Sequence, residues 1–260
     1  MFFGCYARRV GPLRPQNATY AIRIDMQVVQ LAGLTVRIAG GADGEGGGSG
    51  PLVVLLHGFG APGEDMVPFW RFVDAPRGTR WAFPAAPVLL PGGPRDSRAW
   101  WLIDIERRLS AAERGQLDSL SLEVPPGLEK ARAHIVSLLG ELDASLRPNK
   151  VVLGGFSQGA MLSCDVALRT DIPLAGLALL SGTLVAADEW AQLAVRRSGL
   201  PVFQSHGATD PLLPFAYAEK LRDLLSAGGA VTTWVPFRGG HEIPDSVVRA
   251  LGPWLRGVLG

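Results

Sequence analysis

The sequence predicts an α/β fold, with a mostly parallel central sheet and helices on both faces. Short, continuous apolar runs recur along the chain, as is typical of strands covered on both faces. Amphipathic helical patterns lie between these runs, and such alternation is typical of parallel sheets. Residues able to carry chemistry follow several of the runs, where the active sites of such sheets lie. The predicted strands are residues 52–56, 80–83, 151–153, 177–180, 202–204 and 231–235.

The clearest helical pattern is one apolar stripe at helical spacing. Its members are Leu128, Ala131, Ile135, Leu138, Leu139, Leu142 and Leu146. Further helices are predicted over residues 160–168, 214–227 and 244–259. Residues 19–25 and 35–38 alternate loosely between apolar and polar side chains, which predicts half-exposed edge strands.

Residues 40–50 form a glycine-rich stretch. It has two interpretations, a phosphate-cradling loop or a flexible hairpin or connector. The stretch lacks a Gly-Lys-Ser/Thr ending and no helical pattern follows it, so a connector is expected.

The length of 260 residues suits one α/β domain with a substantial core. We expect residues 1–30 to be an N-terminal extension, forming an edge strand or partly disordered, and residues 31–260 to be the α/β domain. Only a few apolar residues precede Arg8, fewer than the roughly 7–15 of a secretory signal. Met26 is an alternative start.

Composition excludes several classes of partner. Hydrophobic residues make up 47% and charged residues 19%, and the net charge is +1, so no nucleic-acid partner is expected. No run reaches the roughly 18 apolar residues of a membrane span. Cys5 and Cys164 belong to no metal-ligand spacing, which favours a reducing compartment and predicts a cytoplasmic protein.

The candidate nucleophile is the serine of Gly155-Phe156-Ser157-Gln158-Gly159. The bare Gly-x-Ser-x-Gly pattern is only suggestive, but here it follows an apolar strand run and precedes a helix. Strand, tight turn and helix form the nucleophile elbow of the α/β-hydrolase fold. The glycines suit a strained serine whose flanking positions have no room for side chains. The alternative is a glycine-rich turn without chemistry.

Four histidines are available to activate the Ser157 hydroxyl, which is a weak nucleophile until a base takes its proton. His57 and His134 precede the serine, whereas this fold places the base after it, in the order serine, acid, histidine. His134 also lies in the long amphipathic helix, where a surface or helix-face position is expected. His206 and His241 remain as candidate bases.

Asp210 is the acid predicted to orient the base. It follows the fifth predicted strand and His241 follows the sixth, so each lies in a loop beyond a strand end. Asp210 would then hold the imidazole tautomer and stabilise the imidazolium. Two alternatives stay open: Asp210 as a turn or cap residue before Pro211, and His206 as the base. The acids that precede His206 lie in or next to helices, so His206 is expected to be structural, near the site.

Residues 57–60, His-Gly-Phe-Gly, directly follow the first buried strand and are the predicted oxyanion loop. Acyl transfer builds negative charge on a carbonyl oxygen, which prepositioned N–H groups stabilise. One donor should be the amide of Gln158 and the other that of Phe59. The alternative is an ordinary glycine turn. His57 is expected to brace the loop by a hydrogen bond.

Together these pieces resemble the phospholipase/carboxylesterase family, which includes bacterial carboxylesterases and acyl-protein thioesterases. The resemblance implies Ser157, Asp210 and His241 as a triad, with Phe59 and Gln158 as oxyanion donors. It implies no cofactor and no metal. The matching segments are residues 55–60, 83–87, 98–101, 155–159, 206–211 and 240–241.

Two positions depart from the family pattern. Phe59 stands where the family often has Leu, and Ala61 where it often has Asp. Because the donor is a backbone group, these departures bear on the shape of the pocket more than on catalysis.

The substrate pocket is predicted from apolar residues near the site. By resemblance, Trp100 and Trp101, with Leu89, Leu90 and Phe59, are expected to line an acyl groove. The alternative is that the tryptophans anchor a loop to the core. Leu212 and Leu213, next to Asp210, are expected to close the other side.

The expected function is a serine carboxylesterase that hydrolyses short- to medium-chain acyl esters through an acyl-enzyme intermediate. The expected partner is a small-molecule acyl ester, and the expected assembly is a monomer or homodimer. The alternatives are an acyl-thioesterase or lysophospholipase, and a non-catalytic binding module on the same fold.

Overall fold

The computed structural model describes residues 26–93, 96–104, 106–107, 110–111 and 114–260. The strands are β1 Gln27–Leu31, β2 Leu34–Gly40, β3 Leu52–Leu56, β4 Arg80–Pro84, β5 Val88–Leu89, β6 Arg98–Ala99, β7 Val151–Phe156, β8 Gly176–Leu180, β9 Pro201–Gly207 and β10 Val231–Phe237. The helices are α1 Phe69–Phe72, α2 Leu117–Leu122, α3 Leu128–Leu146, α4 Gln158–Arg169, α5 Ala187–Leu193, a 3₁₀ turn Ala194–Arg197, α6 Phe215–Ala227 and α7 Asp245–Leu259.

Eight of these strands form one sheet in the order β1-β2-β4-β3-β7-β8-β9-β10. The pairs from β4 to β10 are all parallel, whereas β2 pairs antiparallel with both β1 and β4. Strands β5 and β6 form a separate antiparallel hairpin. The prediction of a mostly parallel sheet is confirmed.

Alternate side chains of each central strand enter two separate apolar cores. In β3, Leu52, Val54 and Leu56 pack with α3 and α4 on one face of the sheet. Val53 and Leu55 pack with α7 on the other face. Both faces of the strand are covered by an apolar core, and for this reason its sequence is continuously apolar.

The six central strands and the long amphipathic helix lie where the sequence predicts them. One interpretation is wrong: residues 35–38 are not an edge strand. They lie within β2, which is paired on both sides, with β1 and with β4. Leu34, Val36 and Ile38 are buried because this face of the strand packs in the main apolar core. The predicted strand over residues 19–25 lies outside the described residues.

The glycine-rich stretch is a connector between β2 and β3, as predicted. Asp43 Oδ1 accepts hydrogen bonds from the amides of Glu45 and Gly47, at 2.8 and 2.9 Å. The buried guanidinium of Arg80 donates to the carbonyls of Gly48 and Gly50. These contacts hold the connector over the ends of the strands opposite the predicted site.

The parallel strands carry the site at one edge of the sheet. The loops after β3, β7, β9 and β10 begin at the carboxyl ends of neighbouring strands, where this class of sheet binds ligands. Within the part of the chain that the structure describes, no helix is both long and apolar enough to cross a membrane.

Candidate active site

Residues 155–159, called the elbow below, form a sharp turn between β7 and α4. Ser157 has φ 54° and ψ −116°, a conformation that L-residues rarely adopt. Its amide donates to the Leu180 carbonyl of β8, at 2.9 Å, which helps to hold the strained residue in place. The turn therefore projects the Ser157 hydroxyl at the end of the sheet.

The two glycines of the elbow are required by close backbone packing. A Cβ atom on Gly155 would lie 2.6 Å from the Leu56 carbonyl oxygen, and one on Gly159 would lie 2.2 Å from it. A Cβ on Gly58, in the oxyanion loop, would lie 3.4 Å from Ser157 Cβ. The elbow and the oxyanion loop are thus packed directly against each other.

Ser157, His241 and Asp210 form one chain of hydrogen bonds. His241 Nδ1 lies 2.7 Å from Asp210 Oδ2, and His241 Nε2 lies 2.8 Å from Ser157 Oγ. Because a carboxylate only accepts, Nδ1 carries the proton of the neutral ring and Nε2 is free to accept the serine proton. The structure therefore brings these three predicted residues together in the order acid, base and serine.

The Asp210 side chain is fully buried and saturated with donors. Its Oδ1 accepts the amides of Leu212 and Leu213, both at 2.9 Å, and its Oδ2 accepts the His241 proton. Burial acts to raise the pKa of Asp210, but the His241 hydrogen bond and the two amides outweigh burial and lower it below its ordinary value of 3.8. The carboxyl group is consequently ionised at neutral pH.

The loops that carry Asp210 and His241 are fastened to each other. Thr209 donates both its amide and its hydroxyl to the Gly239 carbonyl, at 3.0 and 2.9 Å. Ser181, which follows β8, donates its hydroxyl to the carbonyl of Glu242, at 3.0 Å. Sequence reasoning missed Ser181, because a hydrogen bond to a backbone acceptor leaves no pattern in the sequence.

The remaining histidines next to the site are buried and braced. The Ala86 amide donates to His57 Nε2 at 2.9 Å, so the ring proton is on Nδ1 and is donated to the Gly58 carbonyl at 2.8 Å. Burial lowers the pKa of His57 to about 4. His206 lies in β9 and donates Nε2–H to the Leu213 carbonyl at 2.7 Å, and burial lowers its pKa as well. Burial therefore favours the neutral form of both rings.

Two backbone amides, one in the oxyanion loop and one directly after Ser157, have no hydrogen-bond partner among the described residues. The Phe59 and Gln158 amides donate to none of the residues that the structure describes, whereas the next amide along the loop, that of Gly60, donates to the Arg98 carbonyl at 2.8 Å. An oxyanion hole requires amides that are free of other acceptors in this way.

Trp100 and Trp101, the residues expected to line an acyl groove, are both buried. They are only 2% and 4% exposed and belong to the main apolar core. The Trp100 indole N–H donates to the His57 carbonyl at 2.9 Å, so the polar end of the ring is satisfied inside the protein. The tryptophans anchor their loop to the core, which is the alternative left open above.

The two leucines beside Asp210 differ in exposure. Leu213 is 5% exposed and packs in the core. Leu212 is 57% exposed and remains available to contact a bound molecule. The reason for the difference is the turn closed by Asp210, which directs successive side chains inward and outward.

The side chain of Gln158 is a further feature that sequence reasoning missed. It is fully buried, its Oε1 accepts the Trp100 amide at 3.0 Å, and its Nε2 donates to the Trp101 carbonyl at 2.8 Å. The sequence indicates only the backbone role of this residue, since both partners of its side chain are backbone groups.

The chain is similar in sequence to known proteins. The family model described as phospholipase/carboxylesterase matches residues 47–258. Acyl-protein thioesterase 1 of Cryptococcus neoformans var. neoformans serotype D is 27% identical over 178 residues, which cover 66% of this chain and 71% of that protein.

Solved structures share the architecture. The esterase PE8 has a TM-score of 0.72 and 29% identity, covering 87% of this chain and 99% of that chain. The carboxylesterase from Mesorhizobium loti has a TM-score of 0.69 and 21% identity, covering 89% and 98%, and supports the fold alone. The predicted α/β-hydrolase fold is confirmed.

Replacement of Gly159 by Ala should destabilise the protein by about 1–3 kcal/mol, because the new methyl group meets the Leu56 carbonyl and neither backbone has room to move. Gly140 offers a matched control, since it also lies in a helix but faces open space. Replacement of Gly140 by Ala should stabilise the protein by roughly 0.5–1 kcal/mol, because alanine has the higher helix propensity. Urea unfolding of both variants measures these changes in the free energy of unfolding. Equal effects of the two changes would contradict the packing described for the elbow.

Proposed function

The chain belongs to the phospholipase/carboxylesterase family, and on that premise we propose that it is a serine carboxylesterase for short- to medium-chain acyl esters. Family membership makes it an ester-hydrolysing enzyme. The observation that carries the finer proposal is the unbroken hydrogen-bond chain from Asp210 through His241 to Ser157.

In the proposed reaction, Ser157 Oγ attacks the ester carbonyl carbon while His241 Nε2 takes its proton. The imidazolium that forms is stabilised by the buried Asp210 carboxylate, which also fixes the ring orientation. His241 then gives the proton to the leaving alcohol, and an acyl-enzyme remains on Ser157. A water molecule, activated by the same imidazole, releases the carboxylic acid and restores the serine.

Negative charge on the carbonyl oxygen is proposed to be stabilised by the Phe59 and Gln158 amides. Each is a backbone group held by packing, so little reorganisation is needed as charge develops. Gln158 is also the first residue of α4, and the positive end of the helix dipole adds to the field at this point.

The acyl chain is proposed to extend from Ser157 past the Asp210 turn. The exposed side chain of Leu212 offers the chain an apolar contact there. A separate cavity between α2, the loop after β8 and the start of α6 has a volume of about 10 Å³, which is room for one water molecule, and none of the three triad residues lines it. That cavity is therefore not part of the proposed acyl site.

A second candidate function is hydrolysis of acyl thioesters, since the acyl-protein thioesterase of Cryptococcus neoformans is a relative of this chain. The same serine, base and amides serve either leaving group. Rates on short-chain esters, long-chain acyl thioesters and lysophospholipids discriminate the alternatives. A preference in kcat/KM for the long-chain thioester or the lysolipid would overturn the carboxylesterase proposal and favour that alternative.

Ser157→Ala should abolish hydrolysis of a chromogenic short-chain ester, with a fall in kcat of about 10⁴-fold or more, because no other group supplies the attacking oxygen. The exposed Ser246 in α7 provides a control, as Ser246→Ala makes the same change away from the site. Steady-state kinetics and circular dichroism of both variants measure activity and folding. Undiminished turnover by a folded Ser157→Ala variant would contradict the assignment.

Activity should fall as the pH is lowered from 8 to 5, because a protonated imidazole cannot accept the serine proton. The Asp210 carboxylate is not the source of this loss, since its pKa lies below 3.8. His57 is excluded as well, because its pKa of about 4 lies below the measured range. A pH–rate profile tests this expected loss of activity, with circular dichroism at each pH as a control that the protein stays folded. A flat profile over that interval would remove histidine as the general base.

A further inference from the structure

We propose that Trp100 is a positioning residue, which holds the two proposed oxyanion donors at a fixed distance from each other. The inference rests on the proposed function, because it assigns a role relative to the Phe59 and Gln158 amides. It replaces the expectation that Trp100 contacts the substrate.

Trp100 makes one polar contact with each half of the oxyanion hole. Its indole N–H donates to the carbonyl of His57 in the oxyanion loop, at 2.9 Å. Its backbone N–H donates to the side chain of Gln158 in the elbow, at 3.0 Å. A single buried residue therefore joins the loop that carries the Phe59 amide to the residue that carries the other amide.

The His57 carbonyl is well placed to control the Phe59 amide. It belongs to the peptide unit directly before the unit that contains the Phe59 N–H, so a rotation of one displaces the other. A Cβ on Gly159 would lie 2.7 Å from the same carbonyl oxygen, which shows how closely α4 approaches it. The indole donor and the helix backbone therefore both restrict the rotation of this peptide unit.

Trp100 is itself held in place by its neighbours. The Trp100 ring is buried in the core and lies against the His57 ring, with centroids 5.3 Å apart. The preceding strand β6 is paired with the oxyanion loop, because the Gly60 amide donates to the Arg98 carbonyl and the Arg98 amide donates to the Ala61 carbonyl. The loop is thus held on both sides of Phe59.

Loss of the indole N–H leaves the buried His57 carbonyl without that donor. The peptide is then expected to turn toward another donor or toward water, which moves the Phe59 amide from its place beside Ser157. Loss of a whole oxyanion donor costs about 10²–10³-fold in kcat. A displaced donor should cost less, about tenfold, with little change in KM because ground-state binding does not depend on it.

The test compares Trp100→Phe with Trp81→Phe in the full chain. Trp81 is equally buried but lies in the apolar core on the other face of the sheet, so it controls for the loss of an indole from the interior. The measurements are kcat and KM for a short-chain ester and the inhibition constant of a trifluoromethyl ketone, whose serine adduct carries the oxyanion. Thermal unfolding reports the folded state of each variant.

The expected result is a fall in kcat of about tenfold for Trp100→Phe, with KM within about twofold and a parallel loss of affinity for the ketone. Trp81→Phe should change neither kcat nor the affinity for the ketone by more than about twofold. Replacement of Trp100 by 3-benzothienylalanine, which keeps the ring shape and lacks only the N–H, should reproduce the effect even where the phenylalanine variant folds poorly.

The proposal is overturned when the benzothienyl variant keeps wild-type kcat and ketone affinity, or when only KM rises, as a substrate-contacting role requires. Ser157→Ala in the same assay separates this failure from that of the proposed function. An inactive Ser157→Ala beside fully active Trp100 variants overturns the positioning role alone, whereas an active Ser157→Ala overturns both.

Discussion

The close approach of α4 to the end of β3 is the contact on which the site depends. Two glycines permit it, because a methyl group at Gly155 or Gly159 would lie within 2.6 Å of the Leu56 carbonyl oxygen. The contact forces Ser157 into its strained backbone conformation and places the oxyanion loop against it. The Phe59 and Gln158 amides, which belong to these two segments, have no hydrogen-bond partner among the described residues.

The other half of the site follows from strand order. Because β8, β9 and β10 continue the parallel sheet beyond β7, the loops after β9 and β10 emerge on the same side as the elbow. Asp210 and His241 reach the serine from these loops, and Ser181 and Thr209 tie the loops together. The sheet thereby fixes the distances between Ser157, His241 and Asp210, which flexible side chains alone would not maintain.

Sequence patterns predict much of this arrangement because the relevant forces are local or periodic. Continuous apolar runs indicate strands buried on both faces, and the spacing of the elbow glycines indicates a turn without room for side chains. The contacts of Trp100 and of the Gln158 side chain are not predictable in this way. Their partners are backbone carbonyls and amides distant in the chain, which any residue supplies. The place of β2 inside the sheet was also missed, since its alternation resembles that of an edge strand.

The central claim is that Ser157 is a nucleophile activated by its neighbours. Labelling of the full chain by a fluorophosphonate, with the modified peptide identified by mass spectrometry, tests it most directly. The account predicts a single adduct on the peptide containing Ser157, formed much more slowly after His241→Ala because the base is lost. An adduct on a different serine, or no adduct on a folded protein, would contradict the account.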